Sequence, residues 1–354
     1  MPPHFFVNYL KLFLPLLSWA SIVFSKAGVT ERGAVFLGRH VACDAFDENR
    51  PVRVVTHAHS DHMLGLRQSL MHCDSLVMTP ATKDLIDAMM GPLFLMMGNV
   101  KTPNYDEAVA FEDDTLHLHF ANHILGAAQV LVKDAEGTRI LYTGDFRIRD
   151  TPILESDIIV IEATYGNPNR VRKFDENIED LFVSLVETGL KQGPVYVFSY
   201  HGKLQETMQI LHNAHVNAPF IAPEKVFHVS KICERYGMHL GRFLLSTSEQ
   251  GKSVLDEGGP CVAFYHMSSL RHAGQDAFRV CVSGWEFASA CRQVGKKEFI
   301  LALSDHSDFN GLLQYVAESK PKLVVTDNFR VGDAEILARE IQKRLGIKSV
   351  ALPP

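Results

Sequence analysis

His57, His59, Asp61 and His62 stand within six residues, in the run Val55-Thr56-His57-Ala58-His59-Ser60-Asp61-His62. Imidazole nitrogens and carboxylate oxygens are the donors that divalent cations take up, and this run offers four of them with no spacer to spare. Two residues apart on an extended segment, His57 and His59 share a side and can face one ion. Asp61 and His62, thrown onto the following turn, can face a second. Paired cations lower the pKa of a water and neutralise the charge that makes esters resist attack, so the chemistry indicated is two-metal hydrolysis. The competing reading, a solvated His-x-His at a strand end, accounts for two of the four side chains and leaves the other two unexplained.

Such a cluster needs a scaffold. It follows Val52-Arg53-Val54-Val55, a strand-like run, and ligands gather at the C-terminal ends of strands in layered α/β folds. Residues 34–38, 52–56, 116–121, 128–133 and 139–143 read as strands, with helices over 61–70 and 81–90. After Glu162 the character changes: Asn167-Pro168-Asn169 and the basic run Arg170-Val171-Arg172-Lys173 make a polar junction, followed by an amphipathic helix over 176–191. A strand over 195–200 and a helix over 203–212 begin a second α/β unit. The end of the chain returns to a strand over 299–303, a helix over 308–318, a strand over 322–326 and a helix over 333–345. The organisation expected is an N-terminal apolar extension (1–28), an outer α/β sandwich (29–168 and 298–354), and an inserted domain (169–297).

Three further places can complete the centre. Asn122-His123-Ile124-Leu125-Gly126 ends a strand with a histidine near a glycine, so His123 can project from a turn. His117 and His119, on one strand face, compete with it as a ligand pair or as a solvated face. Asp145, in Leu141-Tyr142-Thr143-Gly144-Asp145, ends an apolar strand where a bridging carboxylate would sit, although Gly-Asp is also a common turn. In Ser304-Asp305-His306-Ser307-Asp308, Ser307 or Asp308 could simply cap the next helix, which leaves His306 without an explanation.

Taken together, these residues resemble the metallo-β-lactamase superfamily, and the Ser-Asp-His piece narrows the likeness to its nucleic-acid-processing branch, the β-CASP nucleases. The match runs in order through His57-x-His59-x-Asp61-His62, the His123 turn, Asp145, Glu162 in Ile161-Glu162-Ala163-Thr164-Tyr165-Gly166, and His306. It spans about residues 29 to 354. The resemblance implies an αββα sandwich with an inserted β-CASP-type α/β domain and two zinc ions per chain. It places His57, His59 and His123 on one zinc, Asp61, His62 and His306 on the other, and Asp145 between them, with Glu162 orienting a metal-bound imidazole. The family's last extra motif, usually a histidine, reads Val325-Thr326-Asp327-Asn328-Phe329 here, with Asn328 at the position. That departure moves the likeness from RNA-cleaving pre-mRNA endonucleases toward the Artemis and crosslink-repair group or the ligase-associated DNA exonucleases, which Ser283-Gly284-Trp285 also resembles.

The function implied is a zinc-dependent nuclease on single-stranded DNA or RNA, with 5′-to-3′ DNA exonuclease action in repair ahead of mRNA 3′-end-type RNA processing. A glyoxalase II-like thioesterase or lactonase, and a binding subunit without catalysis, are the rivals. Catalytic roles fall to Asp61, Asp145, Glu162 and His306, and substrate contacts to Lys203 at a helix start, Ser283, Trp285 and Asn328. Trp285 could stack a base or fill a core, and Arg170, Arg172 and Lys173 could grip phosphate or be solvated. His201, His266 and His272 are assigned no metal role.

Composition limits the alternatives. The chain has 354 residues, 46% hydrophobic and 21% charged, which makes it globular. A net charge of −6 gives no global attraction to a polyanion, so nucleic-acid contacts must be local. Six scattered cysteines without a C-x-x-C pair read as small buried residues of an intracellular, cytoplasmic or nuclear, protein. The apolar run over 5–24 is interrupted by Lys11 and Pro15 and has no basic residue before it. It reads as a non-native or disordered extension, ahead of a signal peptide and a membrane anchor. Composition is silent on oligomeric state and on protein partners.

Overall fold

The computed structural model describes residues 26–91, 98–174, 177–272 and 277–354. Its first sheet holds six strands in chain order, from Ala27–Val29 to Val100–Lys101, antiparallel at the start and parallel from Val41–Cys43 onward. The second sheet runs Lys348–Leu352, Leu323–Asp327, Ile158–Ile161, Arg139–Tyr142, Ala128–Lys133, Asp114–Phe120, Ala108–Phe111. These two sheets pack face to face around Leu37, Val54, Val130, Ile140, Tyr142 and Val160.

Local sequence explains each layer. Ile158–Ile161 (IIVI) lies parallel to both neighbours and is buried throughout, as an unbroken β-branched run requires. Asp114–Phe120 is antiparallel to its neighbours and alternates, with Leu116 and Leu118 inward. Helix Pro80–Met90 starts where the Thr79 side chain accepts the Thr82 N–H and proline takes the first turn. Asp308 caps helix Phe309–Ser319 by accepting the Gly311 N–H, which is the capping alternative for that carboxylate. Helix Ala334–Leu345 packs on the strands Leu323–Asp327 and Lys348–Leu352.

A third sheet forms the inserted domain, in the order Phe243–Leu245, Phe220–Ala222, Val262–His266, Val195–Ser199, Phe278–Val282, Glu298–Leu301, Cys291–Gly295. All its pairings are parallel except that of the last edge strand. The fold is thus the expected α/β sandwich with an inserted α/β domain.

Three sequence boundaries move. Glu298–Leu301 pairs with Phe278–Val282, so the insertion continues through Leu301 and does not end at 297. Ala27 and Gly28 pair with Leu37 and Phe36, and Lys26 bonds Asp134 at 2.6 Å, so these residues belong to the sandwich and not to an extension. The helix expected over 61–70 divides into a turn, Ser60–His62, and a helix, Leu66–His72, because Gly65 between them takes a φ of 67°. The apolar run over 5–24 lies outside the described residues. Among the described residues no helix is long and apolar enough to cross a membrane, and the cysteines are free, all but Cys291 buried.

Candidate metal centre

Strand ends of both sandwich sheets deliver the polar cluster. The loop after Val52–Val54 carries His57 and His59 and leads into the turn that holds Asp61 and His62. Asp145 leaves Arg139–Tyr142 through Gly144, whose φ of 55° would be strained for any side chain. A Cβ there would also stand 3.0 Å from the Ala128 carbonyl and 3.3 Å from Thr56.

Four donors converge most tightly. His57 Nε2 and His123 Nε2 each lie 3.1 Å from His59 Nδ1, and Asp145 Oδ2 lies 3.7 Å from the first and 3.8 Å from the second. Zinc bonds of about 2.0–2.1 Å set a tetrahedral edge of about 3.3 Å, so these spacings fit one ion. Each imidazole is oriented by its other nitrogen. His59 Nε2–H donates to the His201 carbonyl at 3.1 Å and His123 Nδ1–H to the Asp305 carbonyl at 3.0 Å. His57 Nδ1 faces Thr56 Oγ1 at 3.1 Å. The nitrogens facing the centre are therefore lone pairs.

The second set is more open. His62 Nε2 lies 3.1 Å from the same Asp145 oxygen and 3.7 Å from Asp61 Oδ2, and it is a buried nitrogen without a hydrogen-bond partner. The Asp61 side chain is 59% exposed, at the mouth. His306 Nδ1 bonds Glu162 Oε2 at 2.8 Å, while Glu162 Oε1 accepts the Phe146 N–H at 2.8 Å. One acid thus fixes both His306 and the backbone just after Asp145. The orphaned His62 nitrogen and the shared carboxylate fit a second cation.

Electrostatics separates the two halves. Burial, with neighbouring imidazoles, pushes His57 well below the ordinary histidine value and His123 down to about 3, so both are neutral. Burial also opposes charge on His62, but Asp145 and Asp44 raise it to about 10; against the same burial, Glu162 raises His306 to about 9. Burial disfavours the Asp145 carboxylate as well, yet the adjacent His62 holds it well below the usual carboxylate range.

Above these residues opens a cavity of about 870 Å³, walled by the inserted domain and by both sheet ends. Ser283 and Trp285 line it, and Ser283 Oγ accepts the Trp285 N–H. Trp285 is 46% exposed, so it is a wall residue and not a core one. Arg170 and Arg172 are not simply solvated: Arg172 lies 5.0 Å over Tyr165 and Arg170 lies 5.6 Å over Trp285.

Two substrate expectations change. Lys203 lines the cavity, but its ammonium sits 2.8 Å from Asp305 in a buried pair, so its charge is not free for phosphate. Asn328 donates to the Pro353 carbonyl at 2.9 Å, and the cavity wall there is made by Asp327 and Arg330. The strand Leu323–Asp327 begins and ends one residue later than the expected strand over 322–326. His117 and His119 stack on each other away from the cavity, and Asp106 holds His119.

Sequence reasoning missed Asp44, Asp305 and Arg330. Asp44 is fully buried, accepts His62 Nδ1–H at 2.7 Å and takes both the N–H and the hydroxyl of Thr56 at 2.8 Å. Its one signal was a carboxylate closing the apolar run Val41-Ala42-Cys43. Arg330 bonds Asp327 and reaches the backbone carbonyls of Gly33 and Asp61, both at 3.3 Å.

No family model matches the chain. An uncharacterised protein in the lig 3′ region of Acidianus ambivalens is 42% identical over 137 residues, covering 38% of this chain and 98% of that protein. A probable DNA ligase of Opitutus terrae is 25% identical over 77% of this chain, and a probable RNase of Methanocaldococcus jannaschii is 27% identical over 57%. The chain spans 26% and 53% of those two proteins' lengths. A crystal structure of a protein of unknown function from Enterococcus faecalis shares the fold, with a TM-score of 0.57 at 12% identity over 87% of this chain and 81% of that one. The chain belongs to one family with the Acidianus protein, and its layered sandwich, inserted domain and clustered histidines and carboxylates agree with the metallo-β-lactamase-fold, β-CASP group of metal-dependent hydrolases that its motifs resemble.

Proposed function

We propose that the chain is a two-zinc nuclease that hydrolyses phosphodiester bonds of single-stranded nucleic acid, and that it acts as an intracellular 5′-to-3′ DNA exonuclease in repair. The observation that carries this reading is the convergence of His57, His59, His123 and Asp145 within 4.8 Å of one another beneath a cavity walled by Trp285 and Arg330. His57, His59 and His123 would hold one ion, Asp61, His62 and His306 the other, and Asp145 both. Once bound, the pair would acidify water and neutralise phosphate charge.

The chain's own side chains supply the rest. Glu162 and Asp44 keep His306 and His62 turned with Nε2 toward the centre. Asp61, exposed at the mouth, is placed to meet an incoming water or phosphate first. Trp285 presents an indole at the wall for an unpaired base, and the arginines behind it, Arg170 and Arg172, supply local positive charge in a chain of net −6.

A DNA-ligase relative that aligns with 77% of the chain supports the DNA reading, while relatives named for RNA cleavage and transcription termination, one aligned over 84%, favour RNA. The RNase relative supports a second reading, processing of RNA. End-labelled single-stranded DNA and RNA, each with a 5′ phosphate or hydroxyl, incubated with and without chelator, decide between them. Chelator-sensitive loss of 5′ nucleotides from DNA is expected. Cleavage of RNA alone would establish the second reading, and no cleavage of either polymer by zinc-loaded protein would refute both.

A further inference from the structure

The inserted domain touches the first metal site through the segment Tyr200 to Glu206. The His201 carbonyl accepts the His59 Nε2–H at 3.1 Å, and so decides which His59 nitrogen faces the centre. Gly202, with a φ of 88°, lies so close to Ile124, the residue after His123, that a Cβ would stand 2.1 Å from its Cγ2. Lys203 Nζ reaches Asp305 Oδ1 at 2.8 Å, with 7% and 6% of the two side chains exposed. The Asp305 backbone carbonyl in turn accepts His123 Nδ1–H at 3.0 Å. Glu206 meets Arg147 at 3.0 Å, and Arg147 also donates to the Ser304 carbonyl, next to Asp305, and to Asn122 Oδ1, next to His123.

Two of the three histidines at the tighter site are thus oriented by groups that the inserted domain holds. We infer that this segment is an interdomain latch in which Lys203 is a positioning residue: by fixing Asp305, and with His201 beside it, Lys203 makes zinc affinity depend on the docking of the inserted domain. The coupling runs both ways, since a ligand that binds the docked arrangement better must favour docking by the same factor. Zinc therefore closes the latch, and the latch tightens zinc. This inference rests on the metal-centre reading proposed above and adds to it a control of metal loading by domain contact.

Two measurements on the full chain test it. Zinc affinity by chelator competition is compared for the wild type, Lys203→Met, Lys203→Arg and Arg279→Met; the last breaks the 2.9 Å ion pair with Glu298, remote from the latch but in the same domain. Lys203→Met is expected to weaken the tighter zinc about 10- to 100-fold, the usual effect of losing a group that orients a ligand. Lys203→Arg should recover most of this, and Arg279→Met should leave affinity unchanged. Amide hydrogen exchange of residues 200–206 in the wild type, with and without zinc, needs no variant; slower exchange with zinc is expected. Wild-type zinc affinity in Lys203→Met, an equal loss in Arg279→Met, or exchange indifferent to zinc each overturns the latch. A wild-type chain that binds no zinc refutes the metal-centre reading itself, and the latch with it.

Discussion

Asp44→Asn isolates what orients the second metal site. The substitution keeps the side-chain shape, and asparagine tolerates the left-handed backbone, φ 63°, that this residue adopts. The amide oxygen can still accept the Thr56 N–H, which Asp44 takes at 2.8 Å. Its NH2 cannot accept the Thr56 hydroxyl or His62 Nδ1–H, at 2.8 and 2.7 Å. It would instead point a donor at His62 Nδ1, which must keep its proton when a cation displaces the one on Nε2, the nitrogen that faces Asp145. A protonated Nε2 has no lone pair for a cation. Losing such an orienting partner typically costs 10- to 100-fold in metal affinity, or about 1.4–2.7 kcal/mol. The metal-free protein also gives up two charge-assisted hydrogen bonds of about 1.5–3 kcal/mol each, so its melting temperature falls as well. Stepwise zinc titration is the assay. The weaker step should shift by that factor and hydrolysis fall with it, while the tighter step shifts less, because Asp44 reaches His57 only through the Thr56 hydroxyl. If the weaker step moves by less than about twofold while the melting temperature drops, the tautomer argument is wrong and Asp44 serves stability alone.

Metal uptake should be pH-dependent at one half of the site only. With folded-state values raised to about 10 and about 9, His62 and His306 are protonated near neutral pH, and a cation must displace those protons. Affinity of the weaker step should therefore rise with pH up to about 10, with proton release detectable by calorimetry in buffers of different ionisation enthalpy; a pH-independent second step would contradict the assignment. The tighter step should release almost none, because His57 and His123 are already neutral. Gly144→Ala puts a Cβ at a φ of 55° and 3.0 Å from the Ala128 carbonyl, so thermal melts should show a loss of about 1–3 kcal/mol, with activity reduced through displacement of Asp145. Trp285→Ala should cost only about 1 kcal/mol of stability, because the indole is 46% exposed at the cavity wall, yet weaken single-strand binding by about 1–3 kcal/mol in a fluorescence titration. Unchanged binding would remove the stacking role.

Local sequence determined the ingredients of this protein. The spacing of His57, His59, Asp61 and His62, and the glycines beside His123 and Asp145, fix which donors a strand end can present, because those relations span only a few residues. The same holds for most strands and helices, whose periods and caps are written locally, as in Ala128–Lys133 or Thr79 before Pro80. Only the tertiary structure decided how those ingredients are oriented and what surrounds them. Asp44 holds His62, the His201 carbonyl holds His59, and Lys203 spends its charge on Asp305, each through partners far apart in the chain. Glu298–Leu301 could join either unit until its neighbour Phe278–Val282 was known, and Trp285 could be core or wall until the cavity formed. The reason is physical: periodicity and turn chemistry act over a turn or two, whereas burial, ion pairing and histidine tautomer depend on which distant groups the folded chain brings within hydrogen-bond reach.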